Sequence, residues 1–522
     1  MLKVTLYLLA ITALMATGAA FGQVKDLAEQ LMNADEKQFT LIFPSGVEFP
    51  KLTEIIKRVL PILTTEIDRK LPPDATDEAK ETLAKRQANA AVVLVRMNQP
   101  EKVWQLLKHS PDPRARSYLI HRIGPLGVDS RIIIKRLEAE PDITIRRALI
   151  LSLGEFDEKA LFLVDRTAWL PKLQEMYRTD ADPGLHSAVE WLLRQWKQDK
   201  WLKQVNEEWA KDKEQREKLL DRIQKNISDV DGKCSSQWYV TGQGQTMVVI
   251  PGPVEFVMGS PMTEVGRQND EKQHKCQIAR SFAIASKELT REQFARFKKE
   301  RVNARESLPT NEWPVNNVTW HEAVEYCNWL SEQEGISEGQ LCYRPNKDGA
   351  YADGMTVAPD YLKRLGYRLP TEAEWEYGCR AGAVTQYSFG ESHKMLGKYS
   401  WYGPNSSGTA HPVGLLKPND LGLFDFHGNV LEWSQDLDIP YAEAPNGKVI
   451  ADSEAVAVTV DDAEPRLLRG GSFQYSPSSL RSAYRSAFIP TSRYKFVGFR
   501  LARTLPPVPL TALPLPPEGA TP

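Results

Sequence analysis

Cysteine is scarce in this chain, with five in 522 residues. So few thiols exclude a disulfide scaffold, and their odd number leaves at least one unpaired within a single chain. Histidine is sparse too. The eight histidines include no His-x-x-x-His pair and no facial-triad pattern, so each is read as a surface or internally bonded side chain and not as a metal ligand. An excess of charge of either sign is missing: 66 basic residues meet 68 acidic ones, a formal net charge of -2. That lacks the basic footprint of a nucleic-acid binder, and no nucleic-acid partner is expected. After the first twenty residues no apolar run is long enough to span a bilayer, so no transmembrane segment is expected in the mature chain.

What is present begins with a leader. Lys3 precedes an apolar run from Val4 to Ala16, followed by the small residues of Ala19-Ala20-Phe21-Gly22. This is the pattern of a secretory signal peptide over residues 1–22, and it implies a secreted or periplasmic protein. No cysteine follows the run to accept a lipid. The 13 Trp, 17 Tyr and 17 Phe provide ample packing material, and the length suits two or three domains.

Residues 24–230 read as successive helices. Three turns, at Asp112-Pro113, Pro141-Asp142 and Asp182-Pro183, each open an apolar-periodic segment. Their spacing suits stacked helix pairs and resembles HEAT/armadillo-like repeats, which would offer a surface to a protein partner. The charged stretch Lys211 to Lys218 is read as a solvated spacer.

Near residue 235 helical periodicity gives way to the strand-like Met247-Val248-Val249-Ile250. Within 235–503, Thr290/Gln293, Thr319/Glu322 and Thr371/Glu374 predict capping boxes at the start of three short helices, which with the strands gives an α+β domain. Residues 504–522 are rich in proline and are read as an extended tail.

The second half carries a fixed order of motifs: Phe256-Val257-Met258-Gly259-Ser260, Tyr367-Arg368-Leu369-Pro370-Thr371-Glu372-Ala373-Glu374-Trp375, Gly428-Asn429-Val430-Leu431-Glu432-Trp433, Arg469-Gly470-Gly471-Ser472 and Gly498-Phe499-Arg500. Together they resemble the sulfatase-modifying-factor family, whose founding members are the formylglycine-generating enzymes. The resemblance implies a C-type-lectin-like fold. It also implies a structural calcium ion held by side-chain oxygens of Asp425 and Glu432 and carbonyls of Gly428 and Val430. Formylglycine-generating enzymes bind copper through two cysteines beyond Arg-Gly-Gly-Ser. Here those positions align with Tyr475 and Leu480, and no cysteine follows Cys379. Copper is therefore not expected, since soft thiolates are what select it.

Cys327 and Cys379 match family positions that are often disulfide-bonded, but the usual partners are absent; a local Cys327–Cys342 bridge and free thiols stay open, as does the pairing of Cys234 and Cys276. The loop that replaces the copper site offers Tyr475, Ser476, Ser478, Ser479, Arg481, Tyr484, Arg485 and Tyr494, suited to a protein, peptide or glycan ligand. For the two arginines an internal structural role is the competing reading. The expected function is a binding module; the alternative is a formylglycine-generating oxidase acting on protein cysteines.

Overall fold

A computed structural model of the protein describes residues 21–44, 50–157, 163–227, 236–298, 312–441, 448–453 and 459–506. Residues 1–20 of the expected signal peptide, Cys234 and the tail from residue 507 lie outside the described residues. Among the described residues no helix is long and apolar enough to cross a membrane.

The first half is all helix: α1 (Phe21–Asn33), α2 (Glu36–Ile42), α3 (Pro50–Asp68), α4 (Asp77–Arg96), α5 (Arg114–Ile123), α6 (Ser130–Ala139), α7 (Ile143–Leu153), α8 (Leu163–Thr179), α9 (Pro183–Gln195), α10 (Asp199–Lys211) and α11 (Lys213–Asn226). All three proline turns open helices, α5, α7 and α9. At α7 the mechanism is visible, because the Asp142 carboxylate accepts the backbone N–H groups of Thr144 and Ile145 and so satisfies amides that have no intrahelical partner. The buried face of α4 is continuous from Gln87 to Val95. Within it Asn89 donates to the carbonyls of Leu31, Met32 and Ala34, closing the C-terminal end of α1.

Two compact units divide the chain. One comprises residues 1–179, 184–197 and 382–395; the other comprises 180–183, 198–381 and 396–522. In the first, the Val384 N–H donates to the Pro111 carbonyl at 3.0 Å. The second takes in α10 and α11; the stretch Lys211 to Lys218 is mostly exposed, but the residues that follow it are packed and not a spacer. Ile223 of α11 and the following Ile227 are buried in the C-terminal core, with Leu219 and Leu220 against it. Spacing of i, i+1, i+4 and i+8 gives an otherwise charged helix one narrow apolar stripe.

The C-terminal unit holds β1 (Trp238–Val240), β2 (Thr246–Ile250), β3 (Val254–Met258), β4 (His274–Ile278), β5 (Phe282–Ala285), β6 (Tyr343–Arg344), β7 (Thr356–Val357), β8 (Tyr367–Arg368), β9 (Leu431–Leu437), β10 (Ile450–Ala451), β11 (Arg466–Arg469), β12 (Ser486–Phe488), β13 (Val497–Gly498) and β14 (Ala502–Thr504). The sheets run β1-β2-β5-β14-β8, β10-β4-β3, β12-β11-β9-β13 and β6-β7. Thr504, expected to open the tail, instead closes β14 and pairs with Phe282.

Strand β2 explains its own sequence. Met247 and Val249 enter one core cluster, with Trp320, Tyr326, Trp433 and Phe499. Val248 and Ile250 enter another, with Phe282, Trp375 and Phe426. Successive side chains point to opposite faces, so a sheet buried on both sides needs an unbroken apolar run. Helices α12 (Arg291–Ala295), α13 (Trp320–Gln333) and α14 (Glu372–Arg380) start at the three capping boxes, each with both reciprocal bonds formed.

Candidate functional site

The loop from Gly470 to Phe496 begins with two glycines in the left-handed region, φ 97° and 71°. A Cβ on Gly471 would stand 2.5 Å from the Ser479 carbonyl oxygen. That close approach needs glycine and folds the following residues back over the strand end.

The eight residues expected to form a ligand loop separate into two groups. Arg481 and Arg485 turn inward, which corrects their assignment to ligand contact. The Arg481 guanidinium is fully buried; it donates to Glu264 Oε1 at 2.6 Å, to both oxygens of Glu271 at 2.7 Å and to the Gly266 carbonyl at 2.7 Å. Arg485 donates to Glu372 Oε1 at 2.7 Å and to the carbonyls of Asp270 and Ile439. Their donors are used on the protein itself, so they brace the loop.

The phenols turn outward or lie half-buried. Rings succeed one another from Phe488 to Tyr494 (4.7 Å between centroids), Phe496 (5.1 Å), Tyr475 (5.9 Å) and Tyr484 (6.5 Å). Tyr494 is 40% exposed. Ser476 and Ser478 are exposed, with their hydroxyls 3.0 Å apart, and Ser479 is half-buried. Phe488 and Phe496 were not anticipated, although the alternation Tyr494-Lys495-Phe496 puts two rings on one side of an extended segment. A second stack adjoins the first: His411 lies 3.8 Å from Trp401 and 5.9 Å from Trp313, and Trp313 and Phe496 pack on the same small cluster around Phe473.

Among the described residues no exposed thiol lies in this region. Leu480 is fully buried, and its carbonyl accepts a bond from His427 Nδ1 at 2.8 Å. Cys276, Cys327, Cys342 and Cys379 are free and buried, so the local Cys327–Cys342 bridge is not formed. Cys379 lies 3.8 Å from the His427 ring nitrogens, yet burial pushes the thiol up to about 12 and the imidazole down to about 4. Neither group can ionise the other near neutral pH, and the pair is structural.

A family model for the sulfatase-modifying factor enzyme 1-like domain matches residues 236–505, just over half of the chain. The chain belongs to this family. Chaperone protein LppX of Paenibacillus barcinonensis is 32% identical over 146 residues, covering 23% of this chain and 51% of that protein. The formylglycine-generating enzyme of Streptomyces coelicolor is 33% identical over 205 residues, covering 35% and 60%. The chain thus spans about half to three fifths of the length of these curated relatives. Treponema denticola variable protein 1, a solved structure, is 28% identical with a TM-score of 0.41, covering 50% of this chain and 95% of that one.

As a sulfatase-modifying-factor domain, the fold uses its motif residues as buried ion pairs. Arg500 of Gly-Phe-Arg donates to both oxygens of Glu432 at 2.5 Å, and the Trp375 indole adds a third bond at 2.8 Å. Arg368 grips Glu374 at 2.6 and 2.7 Å, and Arg469 pairs with Glu376.

This alters the expected calcium set. Both Glu432 oxygens accept from Arg500, so Glu432 could join an ion only while sharing its oxygens with that guanidinium. Asp425 does fit. It is buried with φ 61°, one carboxylate oxygen accepts the Gly414 N–H at 2.8 Å, and the other is buried without a partner. Burial is the main force pushing Asp425 up to about 6. Glu288, which accepts from Asn429 and the Val430 N–H, is pushed up by burial and then by the charges of Asp425 and Glu432. Among the described residues no group of three or more His, Cys, Asp or Glu side chains is arranged to hold a metal ion. Any calcium here would rest on Asp425 and on the main-chain carbonyls of Gly428 and Val430.

Proposed function

We propose that this is an exported sulfatase-modifying-factor-domain protein that binds a protein, peptide or glycan and does not carry out copper-dependent formylglycine formation. The observation that carries this reading is the composition of the loop after Arg-Gly-Gly-Ser. A half-buried phenol and a buried leucine stand at the aligned copper positions, and beside them lies a group of aromatic rings, of which Tyr494 is exposed and the others half-buried. Phenol, leucine and serine side chains supply no soft ligand for Cu(I), whereas Tyr-rich loops offer rigid amphipathic contact area. The signal-peptide pattern supports export, and the HEAT-like spacing of the helices supports a protein-docking role for the first unit.

Incubation with Cu(I), oxygen and a Cys-x-Pro-x-Arg peptide, read by mass spectrometry, tests the loss of chemistry. Unchanged peptide is expected, and copper-dependent aldehyde would overturn the reading in favour of an oxidase. We further propose a structural calcium ion at Asp425, with Gly428 and Val430. Its test is thermal unfolding with and without chelator: a lowered midpoint is expected, and an unchanged one would remove the ion from the account.

A further inference from the structure

The aromatic row has features that narrow its ligand. Its five rings, Phe488, Tyr494, Phe496, Tyr475 and Tyr484, follow one another at 4.7 to 6.5 Å. None of the three tyrosine hydroxyls is hydrogen-bonded to another described residue. Residues 466–505 contain no Asp or Glu, and Lys495, between two of the rings, has no ion-pair partner among the described residues. The surface therefore offers apolar faces, hydroxyl donors and one free positive charge.

A polyproline II segment is complementary to each of these. It has no internal hydrogen bonds, so its carbonyls remain acceptors for the tyrosine hydroxyls. Aromatic-lined surfaces recognise such segments because little conformational entropy is left to lose. The chain carries a proline-rich sequence of its own. Residues 507–522 hold six prolines and a single charged residue, Glu518, of sign opposite to Lys495. The segment starts just after Leu505, which is anchored in the core and donates its N–H to the Ser281 carbonyl. Sixteen extended residues reach about 50 Å, against a radius of gyration of about 18 Å for a domain of this size. The row is thus within reach of the tail.

We propose that the Pro-rich segment 507–522 docks on the aromatic row of its own chain and occupies the ligand surface until a competing segment displaces it. This rests on the binding-module reading above and names its ligand class.

The test uses the full-length protein and a full-length variant carrying Pro507→Ser, Pro509→Ser, Pro514→Ser, Pro516→Ser and Pro517→Ser. A synthetic peptide of residues 506–522 is titrated into each. A tethered tail competes at high effective concentration, so the peptide should bind the serine variant roughly tenfold or more tighter than the parent. Adding Phe488→Ala and Tyr494→Ala should abolish that binding while leaving the circular dichroism spectrum unchanged. Equal affinity for parent and serine variant would overturn the proposal, as would binding that survives loss of the two rings. If the peptide binds neither chain but a glycan array or a proline-free peptide does so through Phe488 and Tyr494, the tail assignment falls and the binding-module reading stands. If all of these probes fail, both fall together. Concentration-dependent dimers of the parent, absent in the serine variant, would also overturn docking within one chain.

Discussion

In the helical unit, burial falls on Leu149, Ile150, Val189 and Leu192, and the ion pairs range from the exposed Lys172–Glu138 to the buried Arg194–Glu190. Among the described residues of the C-terminal unit, no strand exceeds seven residues, and Arg368, Arg469, Arg481 and Arg500 are fully buried against carboxylates. The contrast follows from backbone accounting. A helix satisfies its own amides and carbonyls and asks of its side chains only an apolar face. Irregular backbone leaves many groups unpaired, and a buried guanidinium with five donors can bond carbonyls and a carboxylate together. Arg481 does this for Ser478, Gly266 and two glutamates at once. The same loop is braced beneath and presents its rings above.

Four changes put pressure on this contrast. The largest effect is expected from Arg481→Leu, which strands Glu264 and Glu271 in the interior and should cost about 3–5 kcal/mol in denaturant titration. A cost near zero would mean the strut is dispensable. Leu149→Ala, in the fully buried face of α7, should cost about 2–5 kcal/mol through lost burial and a cavity, with no change in binding by the aromatic row. The third change concerns pH. Burial, then the neighbouring carboxylates Asp452 and Glu372, push Asp436 up to about 7. Its folded value lies above its unfolded value, so the fold binds the proton more tightly and stability from this group is lost as pH rises from about 4 to about 7. Asp436→Asn should flatten that decline when unfolding is followed across the range; an unaltered slope would assign it elsewhere. The smallest effect is expected from Glu138→Gln, an exposed pair in the helical unit, at under about 0.5 kcal/mol. A larger loss would show that the helical unit also depends on its charges.

Local features were legible in the sequence. The three Thr-x-x-Glu/Gln boxes started helices where expected, and the doubly buried β2 could be read from four apolar residues in a row. Pairings between distant residues were not. Arg485 and Glu372 lie 113 positions apart, and nothing in the composition of the loop distinguishes an arginine held from within from one reaching for a ligand. The Glu432–Arg500 pair was hidden for the same reason, since Arg500 belongs to a separate motif. The apolar stripe of α11 was present but hidden among charged neighbours.

The reach of the Arg481 strut also orders events in time. Its partner Glu271 is 210 residues upstream, and Arg469 and Arg500 likewise meet carboxylates made 93 and 68 residues earlier. As the chain emerges from N- to C-terminus, Glu271 and Glu432 wait for the last arginines to appear, whereas Glu376 already has Arg380 four residues on. Contacts this distant are slow to form. The ring-bearing loop therefore takes its shape last, and a chain halted short of residue 481 would have much of the scaffold but no formed surface to offer.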